Sequence, residues 1–341
     1  MRLVALARSP RVALAGSGLI AVGVACGEDA AGGSPVDAGP DGPDAALPDV
    51  SSAPDVAYPD AALLSDIDGG PMCNPGKAFG APALVAEVDT TASESSMRLS
   101  QDGLTAYFSS ARDGGPGGVD LWRATRATAG EPFGAPQNVS ELNSAATDTH
   151  ASISADGLTL VFESSRGLPG QSVLVAHRAS TADPFSAPQG QVGLFGFGIA
   201  ADPFVRADGA MLYFAAGATP ADLDIYRAQR SGSGYAGAVN VGELNGQAQE
   251  SLPTVTPDDR RIYFASNRFD SRARGGFDIW FSVRATRNDP FSAPEPATEL
   301  STADDDFPDF ISPDGCTLWM HRAVAVDGGQ KKAIYVASKS M

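Results

Sequence analysis

An all-β fold of five like units, a five-bladed β-propeller, is what this 341-residue sequence predicts. Three observations carry that expectation: a phrase that recurs five times, an acidic turn at a fixed place within it, and an apolar column six residues beyond the turn. Each phrase opens on an aromatic residue in an F-x-A-P-like segment, at Phe79, Phe133, Phe185, Tyr235 and Phe291, so successive starts lie 54, 52, 50 and 56 residues apart. A period near fifty marks an array of supersecondary units.

Within each unit the first element is a short strand that ends at the turn residue Asp102, Asp156, Asp208, Asp258 or Asp314. Gly follows in four units and Asp259 in the fourth, and Asp-Gly between apolar runs signals a hairpin because Gly accepts the positive φ of a tight turn. The second strand carries Phe108, Phe162, Phe214, Phe264 and Met320, six residues past the turn, which reads as a core column. The third strand carries Asp120-Leu121-Trp122, Asp224-Ile225-Tyr226 and Asp278-Ile279-Trp280, with degenerate forms at Ser172-Val173-Leu174 and Ala333-Ile334-Tyr335. Strands this short and evenly spaced argue for an all-β chain with few helices. A unit of three or four strands has two apolar faces and cannot bury both alone, so neighbours stack, and a closed ring removes most exposed edges.

The last unit stops after its third strand, while Phe79 to Val88 precedes the first complete hairpin and has no unit of its own. This segment is therefore expected to supply the outer strand of the fifth blade. The stretches RLSQDGLTAYFSSARDGGPGGVDLWRATR from Arg98 and TVTPDDRRIYFASNRFDSRARGGFDIWFSVR from Thr254 resemble the WD-repeat-like propeller repeats of the TolB type. The resemblance runs from about Phe79 to the C-terminus. Units two, three and five depart from it by losing the Gly-rich loop, the F-x-S-x-R ending or the D-[LI]-W strand. It implies an interaction role in a bacterial periplasm or outer envelope, although fold does not fix function.

Residues 1–25 place Arg2, Arg8 and Arg11 before an apolar run from Val12 to Ala25, too short to span a bilayer comfortably and read as a secretory signal. Cys26, after Gly-Val-Ala and before Gly27, resembles the lipidated Cys of a bacterial lipoprotein box, with Gly23 standing where an aliphatic residue is usual. The other reading is an ordinary exported protein in which Cys26 is incidental. Residues 26–72 are rich in Ala, Pro, Gly and Asp and lack Lys and Arg, which predicts a disordered tether. The domain then occupies residues 73–341. The net charge of −17 argues against nucleic acid as a partner. Membrane association is expected through the N-terminal lipid alone, with the protein a monomer in the cell envelope, periplasmic or outer-membrane associated.

Two further cysteines remain, Cys73 at the end of the tether and Cys316 on the fifth blade. In an oxidising compartment they form a candidate disulfide across the seam of the ring; the alternative is that Cys316 is a small buried strand residue. Neither thiol has a neighbouring His, and His150, His177 and His321 fit no metal-ligand spacing with the cysteines.

Counting back eight residues from each turn Asp gives Glu94, Asp148, Ala200, Glu250 and Asp306, with Asp202 two positions beyond the alanine. Symmetry sets these residues around one mouth of the central channel. They read either as an acidic binding ring, which a divalent cation such as calcium or a Lys/Arg-bearing partner would neutralise, or as carboxylates that each fix their own loop. Arg112, Arg166 and Arg268, ten residues past the turn, are expected to end the second strand in ion pairs with the third-strand Asp120 and Asp278. Trp122, Tyr226, Trp280 and Tyr335 are expected to pack between blades, and Trp319 in the core. No G-x-S-x-G elbow is present, and the glycines at 113–118 and 231–234 lack the Lys and helix of a phosphate loop.

Two functional readings follow. The first is a non-enzymatic scaffold that offers its channel-mouth loops to an envelope protein or a glycan. The second is a carbohydrate-active enzyme, hydrolase or lyase, with acid and base drawn from the mouth carboxylates, for example Glu94 and Glu250. Repetition favours the first, since catalytic residues are usually departures from a repeat.

Overall fold

A computed structural model of the chain describes residues 73–166, 172–190, 194, 196–327 and 329–341. The expected signal, Cys26 and the tether lie outside the described residues. Among the described residues, twenty strands form five antiparallel four-stranded sheets arranged as a five-bladed propeller. The chain enters through β1 (Ala83–Leu84). Blade one follows with β2 (Glu94–Leu99), β3 (Thr105–Ser110), β4 (Asp120–Thr125) and β5 (Gln137–Asn138). Blade two holds β6 (Asp148–Ile153), β7 (Thr159–Ser164), β8 (Ser172–His177) and β9 (Gln189–Gly190). Blade three holds β10 (Ile199–Val205), β11 (Met211–Gly217), β12 (Asp224–Ser231) and β13 (Gly234–Asn240). Blade four holds β14 (Glu250–Val255), β15 (Arg261–Ser266), β16 (Asp278–Val283) and β17 (Glu295–Pro296). Blade five holds β18 (Asp306–Ile311), β19 (Thr317–Val326) and β20 (Gly329–Ser338), and β1 completes it by pairing with β20.

The innermost strands neighbour one another in the cycle β2, β6, β10, β14, β18 and back to β2, so the ring closes around a central channel. Its core is five interfaces, each an apolar cluster shared by two adjacent blades. Strand alternation explains this: the column at Phe108, Phe162, Phe214, Phe264 and Met320 is fully buried against the preceding blade. The residues one place earlier, Tyr107, Val161, Tyr213 and Tyr263, point to the opposite face and pack against the following blade. Trp122 and Trp280 are buried in these interfaces as expected, while Tyr226, Tyr335 and Trp319 are half-buried at their edges.

The turns are those the sequence predicts. Gly103, Gly157, Gly209 and Gly315 have φ near +70°, and the fourth unit places Asp259 at φ +58° instead. That departure has a reason in packing. The buried Asp259 carboxylate binds Arg206 of blade three at 2.8 Å and Arg284 at 2.7 Å, and accepts from the Tyr213 hydroxyl at 2.8 Å. The opening aromatics are held by a second repeated device: Arg126, Arg178 and Arg284 lie 4.2–4.5 Å over Phe133, Phe185 and Phe291 and donate to the turn carbonyls of Gly103, Gly157 and Asp259.

At the seam Lys339 takes the same place over Phe79, 4.5 Å from the ring centre, and Phe79 bridges to Lys339 through the backbone. Cys73 and Cys316 are joined as a disulfide with their Cα atoms 6.0 Å apart.

Candidate functional site

Glu94, Asp148, Glu250 and Asp306 begin the four innermost strands that carry them, and all four are 0% exposed. Each is satisfied within its own blade. Glu94 accepts from Thr90 Oγ1 and Ser110 Oγ and faces Arg112 at 3.4 Å. Asp148 accepts from the Ser144 backbone N–H and Ser164 Oγ and pairs with Arg166 at 2.6 Å. Glu250 repeats this with Gly246, Ser266 and Arg268, the ion pair being 2.8 Å long. Asp306 pairs with Arg322 at 2.5 Å, and Arg322 stands at the register position that Ser110 holds in blade one. The guanidinium groups also donate to the carbonyls of Val88, Leu142, Leu244 and Leu300, which fastens the loop arriving from the outer strand.

These carboxylates therefore do not present a ring of charge to the channel mouth. The pairing of the arginines also differs from expectation: Arg112, Arg166 and Arg268 bind the first-strand carboxylates and not Asp120 or Asp278. Ser110 and Ser266 lie opposite a carboxylate on both sides, Glu94 and Asp120 in one blade and Glu250 and Asp278 in the other, and the Arg two residues on turns to the first strand, where its guanidinium also reaches the carbonyl of Val88 or Leu244. Asp120 and Asp278 instead accept backbone N–H bonds from Gly117 and from Arg274 and Gly275, fixing their own loops. Burial raises the carboxyl pKa of Glu250 and of Asp306, although Ser266 and Arg268 at the first and Arg322 at the second pull the other way.

A different column runs along the innermost strands six residues before the turn Asp: Ser96, His150, Asp202, Leu252 and Pro308. Every innermost strand carries a bulge here, a register shift against its second strand. At Ser96, His150, Asp202 and Leu252 the backbone is left-handed, with φ between +51° and +58°. Proline, locked near −65°, cannot follow, and Pro308 is absent from that set.

A bulge frees the N–H of the extra residue, and a buried N–H needs an acceptor. The preceding blade supplies it in most cases. His150 N–H donates to Ser109 Oγ at 3.1 Å and Asp202 N–H to Glu163 Oε2 at 3.0 Å. Ser96 is the exception: its N–H lies 3.3 Å from His321 Nδ1, but that nitrogen is committed to Asp309. Ser109, Glu163 and His321 share one repeat position, and where that position is Ala215, Asp202 Oδ2 takes the Leu252 N–H instead. Ala265 precedes Pro308, which has no N–H to satisfy.

The result is a charged cluster on the channel axis. His150 Nδ1 is 3.1 Å from Glu163 Oε2 and its Nε2 3.4 Å from Asp202 Oδ1. Burial alone would lower the His150 pKa, but the two carboxylates outweigh it and hold it above the ordinary value. Burial raises Asp202, with His150 opposing, whereas for Glu163 the His150 proton and the Asp202 N–H overcome burial and keep it low. Across the channel His321 Nδ1 contacts Asp309 Oδ1 at 2.6 Å. A carboxylate only accepts, so Nδ1 carries the proton and Nε2 keeps a lone pair, while burial depresses the imidazole pKa despite Asp309. Arg98, 1% exposed, donates to the Asp309 and Pro203 carbonyls and lies 5.3 Å from the Phe204 ring, closing the floor of the channel. Burial brings its pKa down to about 10.

No family model matches the chain, and no curated protein matches it in sequence. Solved structures of similar shape include a protein assigned as TolB from Agrobacterium tumefaciens, 16% identical over 78% of this chain and 100% of that one, TM-score 0.48. TolB from Acinetobacter baumannii is 12% identical over 82% of this chain and 67% of that one, TM-score 0.48. A thermostable family-43 glycoside hydrolase is 14% identical over 73% and 90%, TM-score 0.46. TolB and glycoside hydrolase names thus stand side by side among the likenesses, which at these scores carry no argument about function.

The sequence reading reached Asp202 only as a displaced member of the acidic column. Ser96, His150, Glu163, Asp309 and His321 were missed as a group. The signal was present: the column six before the turn breaks the repeat, with a different residue in every unit, while the column eight before it keeps the repeat and is structural.

At the mouth of the channel the side chains are aromatic and cationic. Phe307 stacks on His321 at 4.9 Å, meets Phe277 at 5.4 Å and lies under Lys332 at 5.4 Å. Phe269, on the loop between β15 and β16 at the same end of blade four, is 98% exposed.

Proposed function

We propose that the protein is a non-enzymatic binding scaffold of the bacterial cell envelope. It is anchored through lipid on Cys26 and offers the loops at the channel mouth to a protein or glycan partner. The observation that carries this reading is the state of the mouth. Its four repeated carboxylates are spent on buried ion pairs, whereas Phe269 stands fully in solvent and Phe277 and Phe307 lie half-open beside Lys332. Aromatic side chains open to solvent beside cations are what a recognition surface uses.

Less favourable to the enzymatic alternative is that Glu94 and Glu250 are buried and held by the arginines and serines that bind them. The test is cross-linking in intact cells followed by affinity capture of the tagged full chain, comparing wild type with the Phe269→Ala/Phe307→Ala variant. A partner captured by wild type and lost from the folded variant supports the scaffold. Hydrolysis of an envelope glycan by the purified protein, with no partner captured, would replace it with the enzymatic reading.

A further inference from the structure

Ser96, His150 and Asp202 occupy one repeat position in three successive blades and share one backbone conformation, and the His150 and Asp202 side chains meet at 3.4 Å. Around them several buried polar atoms have no partner in the protein: Ser96 Oγ, Asp309 Oδ2 and His321 Nε2, all of which accept, and Arg98 Nη2, which donates. A buried polar atom without a partner is expensive, and each of these would gain from a polar occupant beside it.

The geometry of the trio says what that occupant is. His150, Glu163 and Asp202 each offer a ligand atom within 4.8 Å of the others. The 3.4 Å between His150 Nε2 and Asp202 Oδ1 is about the edge of a tetrahedron with bonds of ~2.1 Å, the length of zinc–nitrogen and zinc–oxygen bonds. Glu163 at Nδ1 then fills the place of the carboxylate that orients a metal-bound imidazole. Charge agrees: the buried groups Glu163, Asp202, Asp309 and Arg98 sum to two negative charges with a neutral His150, and Lys332 is exposed.

We propose that the channel binds one divalent ion of the zinc class, ligated by His150 Nε2 and Asp202 Oδ1, with Glu163 holding His150 Nδ1–H. The remaining positions take water, whose hydrogens find Ser96 Oγ, Asp309 Oδ2 and His321 Nε2. An imidazole ligand and so few protein oxygens disfavour calcium, which wants six to eight oxygen donors. The site shares only Asp202 with the expected acidic column and does not depend on the partner proposed above.

The experiment is isothermal titration and thermal unfolding of the chelator-stripped full chain with zinc, manganese or calcium. The variants are His150→Asn and Asp202→Asn. Asn tolerates the left-handed backbone, and at position 202 it keeps an acceptor for the Leu252 N–H, so both variants retain what the bulge needs. Wild type is expected to take up about one equivalent of zinc with a rise in melting temperature. Both variants should bind at least tenfold more weakly, and Glu163→Gln should lose about 10–100-fold as an orienting residue. Zinc uptake unchanged in His150→Asn, no uptake by wild type, or preference for calcium would each overturn the assignment.

Discussion

Single residues here are held by competing terms of known size, and Asp259 shows which one wins. A left-handed non-glycine residue costs roughly 1–2 kcal/mol, so Asp259→Gly removes strain and restores the residue found in the other four turns. The same change strips Arg206 and Arg284 of their shared carboxylate and leaves the Tyr213 hydroxyl without its acceptor. Breaking a buried ion pair by deleting one partner costs about 3–5 kcal/mol. Arg206 keeps Asp208 at 2.6 Å, whereas Arg284 is left with carbonyls and the Tyr213 oxygen. The expected net effect is destabilisation by about 2–3 kcal/mol, read from urea unfolding. A variant as stable as wild type would mean that backbone strain, not the ion pairs, dominates this turn.

At the level of elements, the Gly-rich loops before the third strands are contact points between blades. A Cβ on Gly117 would stand 2.3 Å from the Ala146 carbonyl oxygen, and one on Gly275 would stand 2.2 Å from that of Asp304, both on the loop entering the next blade. Backbone cannot yield as a side-chain tip does, so Gly117→Ala should cost about 1–3 kcal/mol as overpacking. Gly118→Ala, with nothing within 4 Å, is the neutral control, and a difference in melting temperature between the two checks the claim. These loops also show what the sequence made legible. Turn aspartates, core phenylalanines and loop glycines repeat at fixed intervals, so the blades and the closing strand could be read before any coordinates. His150 and Asp202 could not be read this way. Their direction is set by a bulge that re-aims one residue per innermost strand, and a bulge has no composition of its own when Ser, His, Asp and Leu all occupy it. The arginines differ from expectation for a related reason: each strand end has a carboxylate on both sides, and position along a strand does not say to which side the guanidinium turns.

For the molecule as a whole, the ring is only as stable as its seam, where two ends of the chain meet. β1 contributes two paired residues, and the Cys73–Cys316 bridge closes a separation of 243 residues, for which the chain-entropy model suggests about 5 kcal/mol. Lys339 sits between these devices. Its ammonium donates to the Pro75 carbonyl at 2.6 Å and lies over Phe79, whose ring packs edge-on against Tyr263 of blade four at 5.9 Å. Burial, with Arg261 adding repulsion, lowers the Lys339 pKa to about 8, although Glu299 and Asp314 oppose the shift. An unfolded lysine titrates near 10.4. The folded state therefore binds this proton more weakly than the unfolded chain, and stability rises with pH wherever the unfolded state holds more protons. The destabilising contribution is complete below about pH 8 and disappears as pH climbs toward the unfolded value, while the neutral amine still donates to Pro75. Wild type compared with Lys339→Met should thus gain in relative stability between pH 8 and about 10.4, and the comparison cancels the tyrosines that titrate in both proteins. Unfolding free energies measured across that range check it. A constant difference would place Lys339 in solvent and leave the disulfide and β1 alone to hold the ring shut.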